Sequence, residues 1–458
     1  MRRIPKNVAV HAALLSIILF ACVVRLVGLE TSPPGFFYDE ATGAAHSLCY
    51  QETGYDLFGE RGLFSKVDFS GYQSAPFLLG AAVWTEFAGN SPAGFRSFVA
   101  FASILTVFGI YFLAHNLLPD KSFALWAAAL GACLPWAFQF SRISWDAPLG
   151  VALLIWGLAL TYWRSSSTER QAAYWIRFLG AALLFVLASY TYSPLRIQVA
   201  LMVLLMPAIK WKPRLLILGL FAMGNVVVLA YYRDADFASR AQMLALTSDD
   251  PRNPFRDADS FGLILAYLKQ MLAHFSPKFL LLSGDGNVRH SIQTHGMIDW
   301  VTFAGLLTGI FYVARDIVLR RKIESGSTLP LIAVALLGIF AGITPAALTW
   351  DSIPHALRSI GAWPFLALFA AYGIHSQVTG RWAQLAVCSL VAAFFGVYLT
   401  SYFLRYPEIA RWWFDVDFIE FIRFSGLFPE TYQPVVRAYY RMAEFGQSCA
   451  AVRAAMGI

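Results

Sequence analysis

Val8-Ala9-Val10-His11-Ala12-Ala13-Leu14-Leu15-Ser16-Ile17-Ile18-Leu19-Phe20-Ala21-Cys22-Val23-Val24-Arg25-Leu26-Val27-Gly28-Leu29 runs directly into Glu30-Thr31-Ser32-Pro33-Pro34-Gly35-Phe36-Phe37-Tyr38-Asp39-Glu40. The first part has the length a helix needs to cross a bilayer, about 20 mostly apolar residues. With Met1-Arg2-Arg3-Ile4-Pro5-Lys6 before it, the run has the outline of a signal peptide. No small-x-small cleavage site precedes Glu30, however, so it reads as an uncleaved first helix. Pro33 and Pro34 end it. Asp39 to Thr53 then reads as a short helix, with Ala41, Ala44, Ala45 and Leu48 on one face and Gly54 as its stop.

The rest of the chain repeats the first lesson. Apolar residues make up 58% of the 458 and charged residues 14%, with a mean hydropathy of +0.56. Soluble domains lie near 45–50% and about 25%, so this chain needs lipid as part of its solvent. A net charge of +7 raises the question of nucleic acid, but the charges lie between apolar segments rather than along one face. Five cysteines form no close pair and no C-x-x-C, which sets aside zinc-finger and thioredoxin-like readings. Cys22, Cys133 and Cys388 sit in apolar segments, where a thiol behaves as a small hydrophobe. Cys49 and Cys449 lie in polar stretches and are expected to stay unpaired.

The chain is therefore expected to be an all-α polytopic membrane protein with about eleven transmembrane helices. The spans run roughly 8–29, 96–117, 122–141, 147–163, 178–195, 197–209, 215–232, 298–314, 329–348, 359–376 and 382–403. Two long loops, 30–95 and 233–297, and a polar tail, 404–458, complete it. If the N-terminus is cytoplasmic, the inner segments carry Arg2, Arg3, Lys6, Lys121, Arg164, Arg170, Arg177, Lys210, Lys212, Arg214, Arg315, Arg320, Arg321, Lys322 and Arg381. The short outer loops then carry Arg142, Arg196 and Arg358, a bias of 15 to 3 that obeys the positive-inside rule. Both long loops and the tail face outward on this reading. Tyr72–Gly89 is apolar but short and holds Gln73, Thr85 and Glu86; counting it as a span would destroy the charge asymmetry. It reads as a helix in the outer interface.

Ionisable residues crowd the outer ends of the spans: Asp39 and Glu40, Arg142 and Asp146, Arg196, and Asp351, His355 and Arg358, with Asp285, Arg289 and His290 in the second long loop. A transporter would place such groups in mid-span, where helices break. A reaction site at the outer surface fits better. Each residue also has a plain structural reading. Asp39 stands where an N-cap would, and the arginines could mark helix ends by snorkelling. His355 after Pro354 could cap a helix, and Asp285 between Gly284 and Gly286 suits a turn. Asp-x-Asp at 234–236, 257–259 and 415–417 lacks a strand-turn-helix fold around it and is read as incidental.

An Asp-Glu pair in the first outer loop resembles the GT-C superfamily of membrane glycosyltransferases. More narrowly, it resembles the branch of protein O-mannosyltransferases and the lipid A aminoarabinose transferase. Further pieces resembling bacterial members are Gly89-Asn90-Ser91-Pro92-Ala93-Gly94-Phe95-Arg96, Ser141-Arg142 with Trp145-Asp146, and Tyr190-x-Tyr192-x-x-x-Arg196. To these add His274-Phe275-Ser276-Pro277-Lys278-Phe279-Leu280, Gly284-Asp285 with Arg289-His290, and Pro354-His355-x-x-Arg358. The likeness covers roughly 8–375, and the tail is far shorter than the soluble C-terminal domain of some members.

What the resemblance implies is inverting transfer of a sugar from a polyprenyl-phosphate carrier to an acceptor glycan, lipid or protein. The reaction would occur at the periplasmic face of a bacterial inner membrane, without nucleic acid. The division would be a transferase domain, 1–403, and a short periplasmic tail, 404–458. Asp39 would be the general base, removing the acceptor hydroxyl's proton. Glu40 would orient the acceptor or help hold a divalent cation, which some relatives use and others do not. Arg358 and His355, with Arg142 or Arg196, would meet the leaving phosphate, which needs positive charge rather than a proton. Asp146, Asp285, Arg289 and His290 would contact the acceptor or the loops. A lipid-linked sugar flippase is the competing reading, disfavoured by the absence of mid-span charges and of repeated halves. A polysaccharide polymerase or ligase is another, disfavoured because its main outer loop usually comes late.

Overall fold

The computed structural model describes residues 6–66, 71–165, 170–319, 328–416 and 448–456. Arg2, Arg3, Arg320, Arg321, Lys322 and Asp417 lie outside these. Each of the eleven apolar segments is helical. They form α1 (Lys6–Leu26), α4 (Pro92–Leu117), the pair α5 (Lys121–Cys133) and α6 (Pro135–Phe140), α7 (Ala147–Thr161), α8 (Gln171–Thr191) and α9 (Ser193–Leu205). The set continues with α10 (Trp211–Tyr231), α13 (Trp300–Val318), α14 (Thr328–Ala347), α15 (Trp363–Gln377) and α16 (Arg381–Leu404). Seven of them are long and apolar enough to cross a membrane. The chain is a multi-pass membrane protein.

Its exposed surface says the same. On α10, Leu215, Met223, Val226 and Leu229 are each 59–66% exposed, the reverse of what water tolerates. At the centre lies α15, in which every side chain from Trp363 to Ile374 is buried. It packs so closely on α13 that a Cβ at Gly373 would stand 1.9 Å from the Gly305 carbonyl oxygen, the close approach that small residues allow between helices in lipid.

The third apolar segment is broken by chemistry. Pro135 has no N–H to give the Gly131 carbonyl, and the Trp136 amide goes to Met297 O (3.0 Å) rather than Ala132 O. Arg25, fully buried in α1, supplies the missing donors: Nη1 to Ala132 O (3.0 Å), Nη2 to Gly131 O (3.5 Å), with Nε on Ser103 Oγ (3.1 Å). Such irregular backbone is tolerated at membrane depth only where protein surrounds it.

The first loop carries α2 (Tyr38–Thr53), a short hairpin of β1 (Phe64–Lys66) with β2 (Tyr72–Ser74), and α3 (Ala75–Ala88). The hairpin is a small departure from the all-α expectation. Fourteen residues of helix reach about 21 Å, short of the roughly 30 Å hydrocarbon core. Leu79, Val83 and Phe87 of α3 form one exposed apolar stripe, while Phe77, Leu78, Ala81 and Ala82 face inward. The second long loop holds α11 (Ala235–Leu244), α12 (Ser260–Ala273) and a π-turn at Lys278–Leu282.

After α16, α17 (Tyr406–Ile409) and a further turn lead to Asp415, whose Oδ2 accepts from the Tyr38 amide (3.2 Å) at the start of α2. A last helix, α18 (Cys449–Met456), lies on α2. Here one expectation is overturned: Cys49 and Cys449 are disulfide-bonded across 400 residues. Both belong to one buried cluster with Phe36, Ala44, Leu48, Leu57 and Val452, and this docking, invisible in sequence, brings the thiols together.

Candidate active site

Seven chain segments meet at one end of the bundle around a cavity of about 760 Å³, within the range of small-molecule sites. They are the start of α2, the β1–β2 hairpin, the α6–α7 loop, the α8–α9 junction, the α10–α11 region, and the loops around 287–290 and 345–358.

Asp39 lines this cavity from the first turn of α2. It is not the N-cap that its position suggested. Phe37 occupies that place, no side chain caps there, and the Tyr38 amide is taken by Asp415 instead. The positive end of α2 favours a carboxylate in this turn. Gln73 Nε2 donates to the Asp39 carbonyl (3.2 Å) and ties the hairpin to the same turn.

Glu40 departs from its expected role. Adjacent helical residues point about 100° apart, and this one turns into the protein, fully buried, where Arg96 clasps it through Nε (2.9 Å) and Nη2 (2.8 Å). Arg96 also donates to the carbonyls of Leu29, Pro33 and Gly35, and Glu40 accepts from the Ser144 amide (2.7 Å). The pair therefore ties the loop before α2 and the loop before α7 to the head of α4. It holds Asp39 and Asp146 in place without touching the cavity.

Arg142 departs as well. It is fully buried, absent from the cavity wall, and donates to the carbonyls of Val24, Arg25, Val27 and Ser32. These are the open carbonyls at the C-terminal end of α1, which need such donors. It neither snorkels nor lines the cavity.

Asp146 does line the cavity, at the start of α7 and without a capping bond. Burial pushes its pKa up to about 7, the nearby Asp39 carboxylate adds to the rise, and Arg196 opposes it. Arg196 lies among Phe64, Phe237 and Tyr232, 5.2–5.6 Å from the ring centroids, with Nη1 on the Tyr232 hydroxyl (2.9 Å). Arg289 lies over Phe37 (4.7 Å) and Trp413 (5.7 Å). Arg358 is braced by Thr349 Oγ1 and Asp351 O, both at 2.9 Å, with the Asp351 carboxylate further off at 3.5 Å. Burial lowers its pKa, and neighbouring Arg240 adds to that.

Arg240 is the residue that sequence reasoning missed. It lies on polar α11, exposed, on the cavity wall, and it has no hydrogen-bond or ion-pair partner among the described residues. A cation held beside another cation without a carboxylate is a place for an anion. Its signal in the sequence was slight, one arginine among the many charges of 233–297.

His290 and His355 line the cavity, whereas Asp285 sits behind them. Its Oδ2 accepts from His290 Nδ1 (2.8 Å) and from the Ala356 amide (2.7 Å), and its Oδ1 accepts from the Asn287 amide (2.8 Å). Asp285 is thus both the turn residue and the support for a cavity imidazole. His355 Nδ1 accepts from the Arg358 amide (3.2 Å), so this residue caps its turn while facing the cavity. Of the Asp-x-Asp residues, Asp234 and Asp259 accept amides at the starts of α11 and α12, Asp236 pairs with Lys66, and Asp415 takes the Tyr38 amide. None of these lines the cavity.

No family model and no curated protein matches the chain in sequence. Solved structures do match in fold. The apo oligosaccharyltransferase of Archaeoglobus fulgidus superposes with a TM-score of 0.51 at 13% identity, over 95% of this chain and 60% of that one. ArnT from Cupriavidus metallidurans gives 0.47 in the apo state and 0.46 bound to undecaprenyl phosphate, both at 13% identity. The apo comparison covers 98% of this chain and 77% of that one, and the bound comparison 97% and 77%. The chain spans 60% of the length of the oligosaccharyltransferase it resembles, and what it shares with that protein is the fold.

Proposed function

We propose that this protein is an inverting glycosyltransferase moving a sugar from a polyprenyl-phosphate carrier to an acceptor hydroxyl. The reading rests on one observation: three carboxylates and four arginines, Arg240 among them unpaired within the described residues, share a single cavity at one end of an apolar bundle. The acceptor oxygen attacks the anomeric carbon, Asp39 takes the hydroxyl proton, and the carbon–oxygen bond to phosphate breaks with its electron pair leaving on the phosphate. Arg358, Arg240 and Arg196 balance that charge, and preorganised cations act most strongly where water is scarce. Asp146, titrating near neutrality, lies beside the base and orients the acceptor.

The cavity faces the periplasm of a bacterial inner membrane. The 15-to-3 charge bias supports this, and a disulfide belongs to an oxidising compartment. Contact between α2 and α18 also requires an even number of crossings between them. Ten crossings satisfy this if α3 lies in the interface, and eleven would not. Solved structures of similar fold suggest the donor chemistry: an oligosaccharyltransferase was solved with an inhibitory peptide and a dolichol-phosphate, and ArnT with undecaprenyl phosphate. The test is to incubate purified protein with polyprenyl-phosphate sugars and candidate acceptors, beside a nucleotide-sugar control. Transfer from the lipid-linked donor alone is expected. Efficient transfer from the nucleotide sugar without lipid would sink the proposal.

A further inference from the structure

We infer that α12 lies in the bilayer, seated among the acyl chains of the leaflet on the cavity side, so that the second long loop is anchored in lipid rather than standing in water. At 100° per residue, Phe261, Ile264, Leu265, Leu268 and Leu272 fall within an arc of about 100° on this helix. All five are 49–70% exposed. The opposite side carries Ala266, Gln270 and Met271, which are buried. Fourteen residues reach about 21 Å and cannot cross the roughly 30 Å hydrocarbon core. A short helix with one apolar face turned outward and the other packed on protein is built to lie along a membrane surface.

What covers the outward face follows from where α12 is attached. On α14, Leu336, Phe340 and Thr344 recur every four residues and form one row. Leu336 and Phe340 are 45% and 44% exposed on a helix long and apolar enough to span, so this row faces lipid. Thr344 Oγ1, in the same row, shares a hydrogen bond of 3.1 Å with the Tyr267 hydroxyl of α12. That bond stands about 5 Å short of the C-terminal end of α14, where Pro345 and Leu348 line the cavity. Resting on a lipid-facing row at this depth, α12 turns its far side to the same lipid. The charges agree. Arg252, Arg256, Asp257 and Asp259 precede the helix, Lys269 stands at the rim of the apolar arc, and Lys278 follows, all of them exposed. Charge is thus placed where headgroups lie, and none falls within the arc.

The seat reaches the cavity through the backbone. Ala245 and Thr349 form a bridge, the Leu246 amide donates to Leu348 O, and the Trp350 amide donates to Leu244 O, both at 3.0 Å. At the far end of α12, His274 Nε2 accepts from the His355 amide (3.1 Å). The loop that braces Arg358 through Thr349 and Asp351 is therefore tied at both ends to chain flanking α12. A helix fixed in lipid holds that arginine at a set depth relative to the headgroups. The seat itself does not rest on the transferase reading.

The experiment uses full-length protein in vesicles of phosphatidylethanolamine and phosphatidylglycerol. Cys22, Cys133 and Cys388 are replaced by alanine and the disulfide is kept. Single nitroxide labels are placed through Ile264→Cys, Leu268→Cys and Leu272→Cys, with Val226→Cys on α10 as the lipid reference and Asp249→Cys as the water reference. Collisions with oxygen, which concentrates in lipid, and with a nickel chelate, which stays in water, read the surroundings of each label. The three α12 labels should match Val226, with strong relaxation by oxygen and little by nickel. Unsubstituted protein gives an independent reading that answers the question even if a variant fails to fold. A hydrophobic diazirine confined to the bilayer and activated by light should modify the 260–273 peptide as it does the 211–231 peptide. Nickel relaxation at the level of Asp249 would put α12 in water and overturn the seat. Labels that neither reagent reaches, the mark of a protein covering the face, would overturn it too, as would an unmodified 260–273 peptide beside a modified 211–231.

Discussion

Replacing Glu40 by glutamine changes one oxygen to a nitrogen in the most enclosed ion pair of the first loop. Glu40 and Arg96 are both fully buried, and every N–H of the guanidinium group that the structure pairs goes to Glu40 or to the carbonyls of Leu29, Pro33 and Gly35. The substitution leaves that cation without its counter-charge. It also sets the new amide N–H₂ against either the Arg96 or the Ser144 donor. Breaking a buried pair from one side costs about 3–5 kcal/mol, within which the mismatched donor accounts for roughly 1–3 kcal/mol. One kcal/mol moves the melting temperature of a 150–250-residue domain by about 2–4 °C and a larger protein by less, so Glu40→Gln should melt roughly 5 °C lower. The assay is thermal unfolding of the full chain in detergent, followed by tryptophan fluorescence beside turnover. A Glu40→Gln protein that melts with wild type yet has lost turnover would refute the scaffold role and return Glu40 to the chemistry.

Asp39→Asn should behave in the opposite way, keeping wild-type melting while losing about 10²–10⁴ in turnover, the contribution of a positioned base; near-normal turnover would remove Asp39 from that role. Arg358→Ala should cost about 10²–10³ in turnover, with Arg358→Lys recovering only part because lysine lacks the planar fork. Arg240→Ala should weaken donor binding without lowering the melting temperature, since no partner among the described residues is lost; equal affinity in a labelled-donor binding assay would contradict the anion site. For Asp146, the folded pKa near 7 lies above the ordinary 3.8, so the folded state holds the proton more tightly between those values. Its contribution to stability must therefore fall as pH rises from about 4 to about 7. Asp146→Asn should match wild type at the acid end and melt higher above pH 7, and a gap that widens toward acid would reverse the assignment.

The helices were legible because apolar length is a local property, and α3 was legible as a helix in the apolar stretch Tyr72–Gly89. Crowding of charge at one end of the spans showed where a site would be. Which charges face it was not legible. Asp39 and Glu40 are neighbours in sequence and point about 100° apart on α2, one to the cavity and one to Arg96. Arg142 looks like any cation at a helix end until the carbonyls closing α1 are placed around it. Arg25 was not singled out in the sequence, because its task depends on the break at Pro135, more than a hundred residues away. His290 and Asp285 were singled out together, but the ring of His355 beside them comes from another loop.

The Cys49–Cys449 bond turns most of the chain into a covalent ring, and this orders how the molecule can be built. Ribosomes deliver α2 early, with Asp39 at one end and its thiol near the other, but the partner thiol arrives only after α16 has been inserted. Until then α2 is unlatched, so a chain stalled in mid-membrane holds an unfinished site. Cys22, Cys133 and Cys388 are free and belong to apolar helices, which leaves an oxidant working at the loops no competing thiol among the described residues. Completion of the first loop thus reports that α18 has reached the same side.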